Sequence, residues 1–342
     1  MSNKKEFDLL ALGEIMLRLS PEVNERITRG ATFGKQAGGA ELNAITGVAM
    51  LGARCGIISK LPANDLGTYI KNAVRLCGVS DDYLVYDDSK DARLGVYYYE
   101  SGAYPRKPRI VYDRKNSSVN TICMEDFDDT LYKSARCFHT SGITLALSPK
   151  VRETAIEMIK RFKREGTIIS FDVNFRGNLW SGQEAKECIE SILPYVDIFF
   201  CSEDTARLTF LKEGSVRDIM KSFTKEYPIS VVASTQRIVH SPKRHTFGSI
   251  LYSAVDDAFY EEPPYADIEV VDRIGSGDAY ISGVLYGLLT HEGDYQKALE
   301  FGNATGSLKN TIPGDMLSTD LKEIMGIIKE HKATGRVSEM DR

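Results

Sequence analysis

Gly275-Ser276-Gly277-Asp278 sets a carboxylate directly after a glycine-rich turn, and the residues that follow, Ala279, Tyr280, Ile281, Ser282 and Gly283, read as the start of a helix. Backbone N–H groups at a helix start have no partner inside the helix, and the helix dipole adds positive potential there. Such a start stabilises the charge that develops on a transferring phosphoryl group. Glycine at 275 and 277 lets the backbone come close to that group. Gly275, Ser276 and Gly277 are therefore a candidate anion hole, and Asp278 a candidate base for an attacking hydroxyl. Taken alone, the same residues also fit an ordinary turn with an aspartate capping a helix. The segment is not a Walker A loop, because the Gly-Lys-Ser/Thr ending is absent. It is not a dinucleotide fingerprint either, because that motif follows a first strand and this one lies near the C-terminus.

A second constellation lies near the other end of the chain. Gly38-Gly39 precedes the run Ala40-Glu41-Leu42-Asn43-Ala44, which places Asn43 on the first turn of a predicted helix. Paired glycines admit a substrate hydroxyl to the backbone. The Asn43 amide offers both a donor and acceptors to a polyol. The alternative is a helix start packed tightly on a sheet.

The elements that must carry these groups alternate. Strands are predicted at 7–13, 55–59, 136–139, 167–172, 197–200 and 229–233. Helices are predicted at 40–51, 65–76, 149–165, 184–192, 203–211, 215–226, 276–289, 296–310 and 318–331. Strand–helix alternation of this kind implies an α/β fold with a mostly parallel sheet covered on both faces. Two segments break the rhythm, about 14–37 and 93–116, with runs such as Val96-Tyr97-Tyr98-Tyr99 and Arg109-Ile110-Val111-Tyr112 that favour strands. Two such excursions are expected to pair into a small β lid over the site; separate surface hairpins are the alternative. The polar tail, 332–342, is expected to fray.

The composition excludes several classes. A net charge of -5 on 342 residues lacks the basic excess of an extended nucleic-acid surface. The 6 cysteines are scattered without a C-x-x-C pair, which speaks against a zinc site and for reduced thiols. No run approaches a membrane span, and the short apolar run at the start does not fit a signal peptide. A cytoplasmic protein without nucleic-acid or membrane partners is the expectation.

The two constellations together carry a resemblance. Gly38-Gly39 with Asn43, then Leu51-Gly52 and Asn64-Asp65-Leu66-Gly67, resembles the N-terminal signature of the ribokinase-like (PfkB) carbohydrate kinases. Asp272-Arg273-Ile274-Gly275-Ser276-Gly277-Asp278 resembles their C-terminal signature. The likeness spans essentially the whole chain. It implies one ribokinase-like three-layer domain over 1–342 with a β lid, ATP with Mg²⁺, and an aspartate base at Asp278 following the anion hole.

Three more segments resemble the 2-keto-3-deoxygluconate kinases of that family: Phe171-Asp172-Val173-Asn174-Phe175-Arg176, Tyr112-Asp113-Arg114-Lys115, and Lys309-Asn310-Thr311-Ile312-Pro313-Gly314-Asp315. The resemblance implies substrate contacts from Gly39, Tyr97, Tyr112, Arg114 and Arg176, with Gly38, Asn43 and Asn174 as further candidates. A sugar acid fits arginines, since guanidinium binds carboxylate through two parallel hydrogen bonds. The alternatives are a salt bridge at a strand end for Arg176 and self-packing of the lid for the tyrosines. The expected reaction is transfer of phosphoryl from ATP to the terminal hydroxyl of a keto-deoxy sugar acid. A neutral-sugar kinase such as a fructokinase is the second reading, and a non-catalytic sugar-acid sensor the third. A tyrosine-rich lid also suggests a homodimer contact.

The chain departs from the family pattern in two places. Where members carry Asn-x-x-Glu, this sequence reads Ser202-Glu203-Asp204-Thr205, which leaves the metal ligands open; Glu203 and Asp204 are the substitutes considered. The nucleotide segment, Ala233-Ser234-Thr235-Gln236-Arg237-Ile238, lacks the common Thr-x-Gly and runs into a basic stretch read as a loop. Ser202, Ser234 and Arg237 are candidate phosphate contacts; Asn303 and Gly314 are candidate neighbours of adenine. His139 is read as a core or supporting residue.

Overall fold

The structure, a computed structural model, describes residues 5–333. The last nine residues of the tail expected to fray lie outside the described residues.

An 11-stranded sheet forms the centre. From one edge its main path runs Ala258–Glu261, Arg244–Ser253, Val231–Ser241, Ile198–Phe200, Ile168–Asp172, Ala135–Ser141, Phe7–Leu12, Cys55–Pro62 and Val79–Ser80. The strands from Val231–Ser241 to Val79–Ser80 pair in parallel. The first strand shows why the sheet is sandwiched. Leu9, Leu10, Ala11 and Leu12 are all fully buried. Successive side chains alternate faces, so Leu9 and Ala11 enter one apolar core while Leu10 and Leu12 enter the other. Helices cover both faces, as the alternating pattern predicts.

Local chemistry fixes the helix ends. The Asn64 side chain accepts from the Leu66 and Gly67 N–H groups and starts the helix Asp65–Leu76. Ser148 caps Pro149–Arg164, with proline in the first turn. Two predicted helix starts move by more than one residue. The helix Gly182–Ile192 begins earlier than expected, because Ser181 and Glu184 form a capping box. The last helix, Leu321–Lys332, begins later, because Asp320 caps it.

A second, 4-stranded sheet is built from the two segments that broke the rhythm. Its order is Gly34–Gly38, Met16–Ser20, Gly95–Glu100, Arg109–Asp113. The two central strands pair in parallel, with Arg18 opposite Tyr97. Tyr97 in turn faces Tyr112 across an antiparallel pair.

One expectation is corrected. The basic stretch after Ala233 is a β-hairpin, in which Val231–Ser241 pairs antiparallel with Arg244–Ser253. Pro242-Lys243 makes its turn, and Ile238 and Val239, both 59% exposed, lie on open strand surface. Polar and basic residues on a solvated strand carry little apolar alternation, so the sequence reads as loop.

Candidate active site

A cavity of about 620 Å³ opens where the parallel strands end. Asp172 closes the strand Ile168–Asp172, and Phe200, Cys201 and Ser202 continue from its neighbour; all of them line the cavity. The C-terminal edge of a parallel sheet is the usual place for a ligand in this architecture. The small sheet closes the cavity from above with Met16, Tyr97, Ile110 and Tyr112.

Gly275 caps the helix Ser276–Thr290 with φ 80°. A Cβ there would collide with the Asp315 carbonyl, so only glycine lets the two loops meet. Gly275, Ser276, Gly277 and Asp278 all face the cavity. A Cβ on Gly277 would meet nothing within 4 Å, which leaves open space in front of the helix start. The Ser276 N–H donates to the Arg273 carbonyl at 3.3 Å, so it is the Gly277 N–H, with open space before it, that fits a phosphoryl group.

Asp278 meets the second constellation. Asn43 Nδ2 donates to Asp278 Oδ2 at 2.7 Å. Residues 235 positions apart in the chain thus share one hydrogen bond. Asn43 Oδ1 is buried and has no partner, so it offers an acceptor to a hydroxyl. Burial pushes the Asp278 carboxyl up to about 6; the Asn43 hydrogen bond and the Arg176 charge oppose this, and Asp315 reinforces it. Asp172 is pushed up to about 7, first by burial and then by Asp278. Both carboxyls open onto the cavity and are otherwise enclosed by protein, so they retain some contact with solvent.

The expected sugar-side residues divide. Gly39, Asn43, Tyr97, Tyr112, Arg114, Asn174 and Arg176 line the cavity; Gly38 does not, because its Cα packs against the Asp315 carboxylate. Arg176 has no carboxylate within ion-pair distance among the described residues, and its Nη1 donates only to the Phe175 carbonyl at 3.1 Å. Arg114 differs. Its Nε donates to Glu14 at 2.8 Å, its Nη2 bonds to the same oxygen, and both side chains are nearly buried. The two arginines are therefore not equivalent: Glu14 neutralises Arg114, while Arg176 keeps its charge.

The nucleotide-side residues divide as well. Ser202 lines the cavity and caps the helix Glu203–Phe210, its Oγ donating to Thr205 Oγ1 at 2.9 Å. Thr205 also lines the cavity, whereas Glu203 and Asp204 do not; Glu203 pairs with Arg207 on the helix surface. On the hairpin strand, Thr235 and Arg237 face the cavity and Ser234 points away, as two-residue alternation requires. Asn303 is fully buried, with Ser249 Oγ donating to its Oδ1 and its Nδ2 donating to Glu262. Gly314 is buried beside Gln36 and donates its N–H to Asp272. Ser234, Asn303 and Gly314 are thus placed off the cavity. Each is held by packing or hydrogen bonds from distant segments, which a linear reading does not reveal. Among the described residues, no three His, Cys, Asp or Glu side chains converge on a metal-sized site. His139 is a sheet residue bonded to Ser170, and burial pulls it down to about 3.

Sequence reasoning missed a buried charge network under the site. Arg18 pairs with Asp272 at 2.6 Å and Asp315 at 2.7 Å. The Tyr97 hydroxyl donates to Asp315. Lys309, fully buried, donates to the carbonyls of Asp272 and Ile312. Asp272 and Asp315 fell inside quoted motif segments; Arg18 carried no signal.

A parallel sheet with helices on both faces, a smaller sheet over its C-terminal edge and a carboxylate at a glycine-rich helix start define a class of small-molecule enzyme. The chain belongs to the pfkB family of carbohydrate kinases, whose description matches residues 6–321, and is a carbohydrate kinase. It is 33% identical over 322 residues to the 2-dehydro-3-deoxygalactonokinase of Haloferax volcanii, covering 94% of this chain and 96% of that one. It is 28% identical over 314 residues to the 2-dehydro-3-deoxygluconokinase of Bacillus subtilis, with 91% and 92% covered. Among solved structures, the 2-dehydro-3-deoxygluconokinase of Thermotoga maritima superimposes with a TM-score of 0.89 at 32% identity, covering 94% of this chain and 99% of that one. The ribokinase-like fold expected from the sequence is thereby shown. No helix among the described residues is long and apolar enough to cross a membrane.

Proposed function

We propose that this kinase transfers the γ-phosphoryl group of ATP to the terminal hydroxyl of a keto-deoxy sugar acid, with 2-keto-3-deoxygluconate and its galacto epimer as first candidates. The observation that carries this reading is Arg176, a cavity cation without an acidic partner among the described residues. A carboxylate on the substrate would complete it. The names of the similar kinases support the same substrate class.

ATP, when bound, supplies the phosphoryl group, and Mg²⁺ neutralises part of its charge. The N–H group of Gly277 at the helix start holds the transferred group and, with the helix dipole behind it, offsets its charge. Asp278 accepts the proton of the attacking hydroxyl, and Asn43 orients that carboxylate while offering its free Oδ1 to a neighbouring hydroxyl. Tyr97 and Tyr112, on the small sheet acting as a lid, exclude water from the transfer. The lid's outer strand, Arg109–Asp113, is exposed along its whole length at the edge of the small sheet, an edge suited to a homodimer contact.

One observation favours a neutral sugar such as fructose: Glu14 already takes the charge of Arg114. A coupled assay of ATP consumption on 2-keto-3-deoxygluconate, 2-keto-3-deoxygalactonate and fructose separates the two. Turnover on the acids that collapses in Arg176→Gln upholds the proposal. Preference for fructose, unaffected by that substitution, overturns it. Binding of the sugar acids with no turnover under any condition would return the protein to the role of a sensor.

A further inference from the structure

One buried cation bonds to no carboxylate. Lys309 is the last residue of the helix Tyr295–Lys309 and is fully buried. It does not line the cavity. Among the described residues, no carboxylate lies within ion-pair distance of its Nζ. The Nζ donates instead to two main-chain carbonyls, Asp272 at 3.2 Å and Ile312 at 2.9 Å. Neither carbonyl accepts from any other group among the described residues. A buried ammonium is costly unless its donors are met and its charge is offset. The end of its own helix supplies negative potential. Burial pulls the Lys309 pKa down to about 8 while the charges of Asp272 and Asp315 oppose the fall, so the ammonium form prevails at neutral pH.

The two carbonyls belong to the two loops that meet at the start of the helix Ser276–Thr290. The Val271 and Asp272 N–H groups both donate to the Asn310 carbonyl, and Gly275 packs against the Asp315 carbonyl. The helix that carries Lys309 is docked on the helix that the loops introduce. Thr305 Oγ1 donates to the Ala279 carbonyl at 2.7 Å, and a Cβ on Gly287 would strike the Ala298 backbone. Lys309 therefore reaches both loops from a rigid base. We infer that Lys309 is a positioning residue for phosphoryl transfer: its ammonium is a fixed internal cation that ties the two loops together and so places the Gly277 N–H and the Asp278 carboxylate. It acts through the backbone and touches neither substrate. The inference rests on the reading of this helix start as the site of transfer and deepens it.

Two variants of the full chain test this in the coupled assay of ATP consumption, with melting curves to show that each is folded. Lys309→Met keeps the length of the side chain and removes its donors. It is expected to lose about 10- to 100-fold in kcat, with KM for ATP and for the preferred sugar within about 3-fold of the wild type. Lys309→Ala opens the space that the side chain filled. Methyl-, ethyl- and propylammonium at tens of millimolar should restore part of its kcat, increasingly with chain length. The wild type and Lys309→Met should respond to none of them. Tetramethylammonium has no N–H donor and should restore nothing, which separates rescue from ionic strength. Wild-type kcat in Lys309→Met overturns the inference, and so does a folded Lys309→Ala whose kcat no alkylammonium raises. Failure of both variants to fold, unrelieved by alkylammonium, assigns Lys309 to the core alone and also overturns it. A wild type that consumes no ATP on any of the three sugars overturns the underlying reading of the site instead.

Discussion

The Arg18 guanidinium lies 2.6 Å from the Asp272 carboxylate, with both side chains only 6% exposed. Arg18 belongs to the small sheet; Asp272 opens the loop that leads to the anion hole. Asp272 Oδ1 accepts the Ile274 N–H and Oδ2 accepts the Gly314 N–H, so one carboxylate holds two loops as well as the arginine. Asp315 and Lys309 complete a network with two positive and two negative groups. This is the physical link between the sheet that covers the cavity and the helix start beneath it.

Removing one member of such a network strands the others. Arg18→Met leaves Asp272 and Asp315 buried without their counter-charge, at a cost of about 3–5 kcal/mol. Denaturant unfolding should show this loss, with Arg18→Lys recovering part of it. An unchanged unfolding midpoint would mean that water already compensates these carboxylates.

The pH profile should report Asp278. A base works deprotonated, and burial pushes this carboxyl up to about 6. The kcat/KM value is therefore expected to fall on the acid side of about pH 6 and to level off above it. Asn43 lowers this pKa through its hydrogen bond, so Asn43→Ala should move the acid limb to higher pH. Asp278→Asn should lower kcat by roughly 10²–10⁴-fold with little effect on sugar binding. A limb that stays in place in Asn43→Ala would assign the titration to another group.

Much of this was legible in the sequence, and the limits have physical causes. The helix starts at Ala40 and Ser276 follow from glycine placement and apolar patterning, both local signals. The hairpin after Val231 was not legible, because solvated strands need no alternation. Arg18 was invisible for another reason: its partners lie 254 and 297 positions away, and nothing in its neighbours marks it as buried. The unequal roles of Arg114 and Arg176 depend on Glu14, which is 100 positions from Arg114. Ser234 failed by a single residue of strand phase: motif reading marks a segment, while alternation decides which side chain reaches the cavity.

Asp172 supports a prediction of opposite sign to the usual carboxylate. Its pKa rises to about 7 on folding, chiefly through burial and then through Asp278. Above that pH the native state holds a charge that the unfolded chain holds more easily, so the ionised group opposes folding. Asp172→Asn should therefore raise the melting temperature at pH 8. The gain should shrink as pH falls through 7 and vanish only by about pH 3, below the ordinary aspartate value, where both states are protonated. Melting curves across that range check the sign; a gain that is the same at pH 4 would point to packing rather than charge.

Two glycines at the helix start should respond differently to one added methyl group. Gly275 has φ 80°, and its Cβ would fall on the Asp315 carbonyl. The left-handed backbone alone costs alanine about 1–2 kcal/mol, and relieving the clash must part the two loops. Gly275→Ala should therefore lose stability and activity together. The Cβ of Gly277 meets no protein atom within 4 Å, so Gly277→Ala should melt as the wild type does. That open space is where the proposed phosphoryl group approaches the Gly277 N–H, and a methyl there should cut nucleotide affinity and turnover. Melting and nucleotide titration on both variants separate packing from function. Full activity in Gly277→Ala would place the transferred group away from this helix start.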